Sequence, residues 1–244
     1  MFFLLLCFFG DPVWIDVPVL RPMEQCRGST VLADIESRMP AGHQYSFPTM
    51  PMTWCHETTH GLNSNLRSGK PGVNAFYVLN GKAMVIREPR GRLSAVAKLI
   101  PPSLRGPLFQ LYLIEQRRYW DDTPTYICDE WVAYINGSCC GREISENGWR
   151  FELLQAINFT VYSLAMAQSV SASDPTYDHT QLREFIKYNA SRVRWLIDRL
   201  EESGDDNTHV RQIRAYLTEW RTGTESASLR AFADQYLGES MLGE

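Results

Sequence analysis

The sequence predicts an α+β fold that is mainly α-helical, with a small sheet and a helical C-terminal part. Three observations support this class. The composition is that of an ordinary globular chain, with 44% hydrophobic and 21% charged residues among 244. One Asn-Gly pair lies between two β-prone runs. From Pro107 onward, apolar residues recur at helical spacing almost throughout.

The first fifty residues predict short, irregular elements. Residues 13–20, VWIDVPVL, are β-prone, but Pro18 restricts them to an edge strand or a broken strand. Residues 33–38 predict one or two helical turns. The apolar stretch 1–9 has three interpretations: a truncated export signal, a misplaced start or a first buried strand. The compartment, cytoplasmic or exported, is therefore open. A bilayer span needs roughly 20 apolar residues, so no transmembrane span is predicted.

A helix and then a hairpin come next. The helix is predicted from Met50 to about Leu66, with Thr49 as its cap and Pro51 in its first turn. The hairpin covers about 74–88, where an Asn-Gly pair between two β-prone runs is typical of a type I′ turn.

Helices fill the remainder of the chain. Four helices are predicted over 108–120, 125–142, 146–170 and 174–202. A fifth carries an apolar stripe of Val210, Ile213, Leu217 and Trp220, and a sixth covers 225–237 and is ended by Gly238. We predict a metal-binding domain over 1–170 and a helical subdomain over 171–244. No linker marks this boundary, so a single domain is the alternative.

Two histidines in the first long helix predict a metal site. His56 and His60 are four residues apart, so both imidazoles lie on one helical face. Two nitrogens at that spacing can bind one zinc ion (Zn²⁺). Glu57 is displaced by about 100° around the helix. Its carboxylate can therefore reach a metal-bound water as a general base without acting as a ligand.

The stretch His56-Glu-Thr-Thr-His60 resembles the HExxH signature of the zincin metallopeptidases. The resemblance implies that the two histidines bind zinc and that Glu57 is the catalytic base acting on a peptide or protein substrate. The metzincin extension requires Gly and His where this chain has Asn63 and Leu66, so that subclass is excluded. In the gluzincins the third ligand is a glutamate on a later helix.

Glu130 is the favoured third ligand. Its neighbours in 126–134 are apolar almost all round, so the helix is expected to be buried and the carboxylate to need a cation or metal. A plain buried ion pair is the alternative. Asp129 is the next candidate ligand, or it hydrogen-bonds a ligand histidine. The other downstream carboxylates considered are Glu115, Asp121, Asp122, Glu143, Glu146 and Glu152.

Three tyrosines are candidates for the donor that stabilises an oxyanion. Tyr119, Tyr126 and Tyr134 all lie close in sequence to Glu130 and any one could serve, with Tyr126 and Tyr134 named as the catalytic candidates. The chain departs from the zincins in one respect, because its best strands follow the HExxH helix instead of preceding it. Either the early strands are stronger than they look or the sheet is reduced.

The function predicted from these residues is that of a zinc-dependent hydrolase, most simply a peptidase. A zinc enzyme for a non-peptide amide or ester is a variant of the same hypothesis. The alternative from another class is a helical binding or scaffold protein in which the motif is incidental. The net charge of −4 gives no signal for nucleic acid. The cysteines are interpreted as core residues, with a disulfide between Cys55 and Cys128 as a further hypothesis.

Overall fold

The computed structural model describes residues 14–22, 28–40 and 50–238 together with Leu242. It confirms the predicted class, since a small antiparallel sheet accompanies a chain that is mostly helical. The apolar N-terminal stretch 1–9 and the predicted cap Thr49 lie outside the described residues.

The helices of the described residues follow one another along the chain. They are α1 Thr30–Glu36, α2 Pro51–Arg67, α3 Leu93–Leu99, α4 Arg117–Trp120, α5 Tyr126–Glu143, α6 Trp149–Ser173, α7 His179–Glu202, α8 Thr208–Thr222 and α9 Ala227–Leu237. The predicted bounds of α2, α5, α6 and α9 are correct to within a few residues. Pro51 begins α2 as predicted, and Met50 in the cap position provides no side-chain hydrogen bond.

The sheet has three strands in the described part of the chain: β1 Trp14–Asp16, β2 Val73–Tyr77 and β3 Lys82–Arg87. Their order is β1-β3-β2, and both neighbouring pairs are antiparallel. The short β1 lies at an edge, as the proline at position 18 predicts. Within residues 14–22 and 28–40, β1 is the strand that precedes α2, so the sheet of the described residues is the reduced one.

The hairpin turn has the predicted Asn-Gly conformation. Asn80 and Gly81 have φ angles of 54° and 72°, the positive values that a type I′ turn requires. Leu79 also has a positive φ of 73°, so the loop departs from a plain two-residue turn. Asp34 in α1 accepts a hydrogen bond from the Asn80 backbone N–H at 2.9 Å. Helix α1 therefore fixes the turn from outside the sheet.

The region before α5 differs from its prediction. Residues 108–120 form a π-helical segment, Phe109–Glu115, followed by the short α4, instead of one α-helix. The bond from Gln116 N–H to the Leu111 carbonyl, at 2.9 Å, spans five residues and marks the wider turn. Helix α3 was not predicted. Its start is stabilised by Asp121, whose side chain accepts from Ser94 N–H at 2.8 Å, a contact that local periodicity does not reveal.

The last helices agree with the sequence except at one start. The predicted start of α7 near Asp174 is wrong, because this residue ends α6. Asp178 caps α7 instead, accepting from Thr180 N–H at 3.0 Å. Gly238, with a φ of 73°, ends α9 as predicted. The predicted apolar stripe of α8 is buried as a whole: Val210, Ile213, Leu217 and Trp220.

Helices α5 and α6 form the centre of the core, and α2 packs against α5. Nearly every residue of α5 is buried, as its apolar sequence predicts, and Trp131 is fully enclosed. Helix α7 packs on both α5 and α6. The division near residue 170 stays a prediction. Within the described residues, no helix combines the length and the apolar character that a bilayer crossing requires.

Candidate metal centre

Helix α2 presents the two predicted histidines to α5. The Nε2 atoms of His56 and His60 lie 3.2 Å apart, and their rings meet edge-to-face with centroids 4.9 Å apart. His56 is buried, and His60 is only partly exposed. The spacing of four residues therefore brings both imidazoles to one point, as the sequence predicts.

The second turn of α5 brings Glu130 to the same point. Its Oε2 atom lies 3.9 Å from His56 Nε2 and 3.7 Å from His60 Nε2. This oxygen is buried and has no hydrogen-bond partner among the described residues. The ion pairs that Glu130 forms within the described part of the chain are those to the two histidines, so the choice between a metal ligand and a plain buried ion pair stays a prediction. The three residues form a group that can hold a metal ion.

The spacing of these donors fits a small tetrahedral ion. Two donors at about 2.0–2.1 Å from such an ion lie about 3.3 Å apart. The two imidazole nitrogens, 3.2 Å apart, match this distance. The Glu130 oxygen, at 3.7 and 3.9 Å, needs to move by roughly half an ångström.

The second nitrogen of each imidazole faces a further carboxylate. His60 Nδ1 lies 3.2 Å from Asp129 Oδ2, and His56 Nδ1 lies 3.1 Å from Glu152 Oε2. Asp129 therefore takes the second of its two predicted roles, contacting a histidine and not joining the metal-binding group. Glu152 was one of several downstream carboxylates in the sequence, and no local pattern connects it to His56. Carboxylates in this position orient ligand histidines in metal sites.

Negative charge exceeds positive charge around the imidazoles. Asp129, Glu130 and Glu152 are buried, and Glu57 is partly exposed on the same helix as the histidines. Among the described residues, the arginine or lysine that pairs with these carboxylates is Arg67, 3.9 Å from Asp129. Buried carboxylates need a compensating cation, so the surplus favours a divalent ion between the histidines and Glu130.

The same surplus acts on His60. Burial lowers its pKa, but the hydrogen bond and charge of Asp129, together with the charges of Glu130 and Glu57, raise the pKa to about 9. Burial also raises the pKa of Asp129, yet the contact with His60 holds it below its usual value. A metal ion must therefore displace a proton when it binds.

Glu57 differs from the other carboxylates of the site. Its side chain makes no hydrogen bond or ion pair within the described residues, and it is not a member of the metal-binding group. It acts on His60 and on Tyr134 through its charge alone. Its charge therefore acts on the His60 imidazole, and its carboxylate is not committed to a partner within the described residues.

The predicted tyrosines are in three different situations. The Tyr126 hydroxyl donates to Glu130 Oε1 at 2.8 Å. The Tyr134 ring packs edge-to-face on His56, with centroids 4.5 Å apart, and its hydroxyl lies 2.9 Å from that of Tyr112. Tyr119 is 63% exposed and is not at the site. Tyr112 was missed by the sequence analysis because it reaches the site from the unpredicted π-helical segment.

Two asparagines connect the site to the sheet. Asn63, at the position where a metzincin has glycine, donates to Asp129 Oδ1 at 2.7 Å and accepts from Tyr77 N–H at 2.7 Å. Asn136 donates to the Tyr77 carbonyl at 3.2 Å. The side chains of Asn63 and Asn136 therefore hydrogen-bond both the backbone N–H and the carbonyl group of Tyr77 in strand β2. A peptide strand cannot pair with β2 at this residue.

The cysteines near the site are free thiols. Cys55 and Cys128 are both buried and unbridged, so the hypothesis of a disulfide between them is wrong and their interpretation as core residues is confirmed. The Cys55 thiol instead donates to the Asn136 carbonyl at 3.3 Å and hydrogen-bonds Cys140.

Two cavities of the described residues lie away from the imidazoles. One of about 760 Å³ is lined in part by Arg150 and Arg199, and one of about 300 Å³ by Tyr188 and Arg192. Neither is lined by a residue of the metal-binding group. We therefore assign the metal site from its donor atoms and not from cavity size.

Comparison of the chain with protein-family models, curated proteins and solved structures finds no match.

Proposed function

We propose that this protein is a zinc-dependent hydrolase that cleaves peptide bonds. The observation that carries the proposal is the convergence of His56, His60 and the unpartnered Glu130 oxygen, with the uncommitted Glu57 beside them. This is the arrangement that the resemblance to the gluzincins implies.

The donor set supports zinc over the other common divalent ions. Calcium and magnesium prefer sites made of oxygen atoms, whereas zinc accepts imidazole nitrogen with carboxylate oxygen. The described residues provide three protein donors. Structural zinc sites usually have four protein ligands, and catalytic sites keep one position open. Three donors therefore favour a catalytic site.

The residues around the metal have separable roles. A bound zinc ion supplies the Lewis acid that activates water and polarises a carbonyl group. Glu57 takes the proton of the attacking water, because its carboxylate has no other partner within the described residues. Tyr126 holds Glu130 through its hydroxyl proton. Tyr134 is the better candidate to stabilise the oxyanion, because its hydroxyl hydrogen-bonds another tyrosine, Tyr112, and no carboxylate within the described residues.

Phenylalanine variants of the two tyrosines are expected to separate these roles. Tyr126→Phe removes the hydrogen bond to Glu130 Oε1 and is expected to weaken zinc binding about 10- to 100-fold. Tyr134→Phe is expected to lower kcat about 100- to 1000-fold with zinc affinity nearly unchanged. Zinc titrations and steady-state kinetics of both variants measure the difference. A Tyr134→Phe enzyme with wild-type kcat would remove this residue from the reaction.

The proposal is tested with a pool of peptides derived from a digested proteome. We expect the zinc-loaded chain to cleave members of the pool, EDTA to stop cleavage and added zinc to restore it, with products identified by mass spectrometry. A chain that binds zinc but cleaves only amide or ester compounds outside the pool would keep the metal and change the substrate. A chain that neither binds zinc nor cleaves any peptide would contradict the proposal and favour the alternative of a helical binding or scaffold protein.

A further inference from the structure

We infer that Glu152 is a positioning residue for the metal: it fixes the orientation and tautomer of His56 and thereby sets the zinc affinity. The inference rests on the proposed function, since it assigns the other nitrogen of His56 to the ion. It concerns a residue from α6, a helix outside the HExxH motif and outside the helix of the third ligand.

The contact itself is buried and exclusive. Glu152 Oε2 lies 3.1 Å from His56 Nδ1, and both residues are buried. Within the described residues, His56 is the hydrogen-bond and ion-pair partner of the Glu152 side chain, and no arginine or lysine pairs with it. A buried carboxylate that has one hydrogen-bond partner and no arginine or lysine beside it is costly for folding. The stability of the core therefore does not explain why a glutamate is present at position 152.

The position of Glu152 determines the direction of the hydrogen bond. It lies in the first turn of α6, where the helix dipole stabilises a negative charge. A carboxylate accepts hydrogen bonds, so this contact places the imidazole proton on Nδ1, 3.1 Å from Glu152 Oε2. The Nε2 atom of His56 then keeps its lone pair, directed toward His60 and Glu130. This is the tautomer that a metal ligand of this geometry requires.

The packing of α5 makes room for the contact. Gly137 lies opposite Glu152, and a Cβ atom there would lie 2.6 Å from Glu152 Oε2 and 3.6 Å from His56 Cβ. Any other residue would thus push the carboxylate away from the imidazole. Glycine is unfavourable inside a helix. Its presence in the middle of α5 is explained by the approach of Glu152 to His56.

Asp129 provides an informative contrast. Its carboxylate contacts His60 but also accepts a hydrogen bond from Asn63 and lies 3.9 Å from Arg67. Those partners give Asp129 a structural role in addition to its contact with the imidazole. Glu152 has no such partners among the described residues, so its replacement isolates the effect on the histidine.

The test measures zinc affinity by competition with a chelating dye for wild type, Glu152→Gln, Gly137→Ala and the double variant. We expect each single variant to bind zinc about 10- to 100-fold more weakly. Because both changes act through one contact, the zinc Kd of the double variant is expected to lie within about twofold of the Kd of the single variant that binds zinc more weakly. Glu202→Gln, a surface change in α7, is the control and keeps wild-type affinity.

Two further readouts separate positioning from folding. The metal-free melting temperature of Gly137→Ala is expected to stay close to that of wild type, so this variant remains informative if Glu152→Gln fails to fold. In the zinc-loaded wild type, ¹H–¹⁵N spectra of the imidazoles are expected to place the His56 proton on Nδ1. A proton on Nε2, with zinc on Nδ1, would overturn the inference.

The outcomes also separate this inference from the proposed function. Wild type that binds zinc, with both single variants binding it equally well, would overturn the role of Glu152 and leave the zinc site intact. Wild type that binds no zinc would overturn the proposed function and the positioning role together. Additive losses in the double variant would show that Gly137 and Glu152 act separately, which contradicts the inference.

Discussion

Replacing Glu57 by glutamine is expected to lower peptide hydrolysis about 100- to 10,000-fold and to leave the zinc content unchanged. Glutamine has nearly the same size but cannot take a proton from water. Glu57 is not a member of the metal-binding group, so its replacement should not release the ion. The measurement is kcat/KM on the best peptide of the pool, together with zinc per chain.

The control for this prediction is Glu115→Gln, which changes a carboxylate in the π-helical segment outside the site. It is expected to keep both the rate and the zinc content. A Glu57→Gln enzyme that cleaves as fast as wild type would show that the mechanism is wrong. A variant that loses zinc as well would instead place Glu57 among the ligands.

Zinc is expected to stabilise the wild-type protein strongly. At a free concentration 1000 times its Kd, a ligand that binds only the folded state adds about 4 kcal/mol to the free energy of unfolding. For a chain of this length, that corresponds to a rise in Tm of roughly 8–16 °C. His60→Ala removes one of the two imidazoles and is expected to abolish the rise. Thermal unfolding with and without zinc measures it.

His209→Ala is the matched control for this experiment. His209 lies in α8, where its ring packs against Phe151 with centroids 5.7 Å apart, and it is not in the metal-binding group. This variant is expected to keep the whole increase in Tm. An equal increase in His60→Ala would mean that zinc binds elsewhere or without specificity.

The three residues that can hold a metal ion were predictable because their signals are local. The spacing of His56 and His60 on a helix determines their common face, whatever the rest of the fold. Glu130 was found because a carboxylate among apolar neighbours on a buried helix needs a partner. The hairpin was found for a similar reason, since Asn80-Gly81 determines its own turn.

The remainder of the site was not predictable because its contacts join distant segments. Glu152 reaches His56 across 96 positions, and Asn63 reaches Asp129 across 66. Tyr112 approaches from a π-helical segment whose apolar pattern resembles that of an α-helix. Such contacts depend on how α2, α5 and α6 pack together. Single-sequence periodicity has no information about that packing.

The zinc content of dialysed wild type, Glu130→Ala and His60→Ala shows whether the three residues bind one ion together. If His56, His60 and Glu130 hold the ion together, wild type retains about one zinc per chain and both variants lose it. Wild type without zinc, or all three proteins with the same zinc content, would contradict the claim.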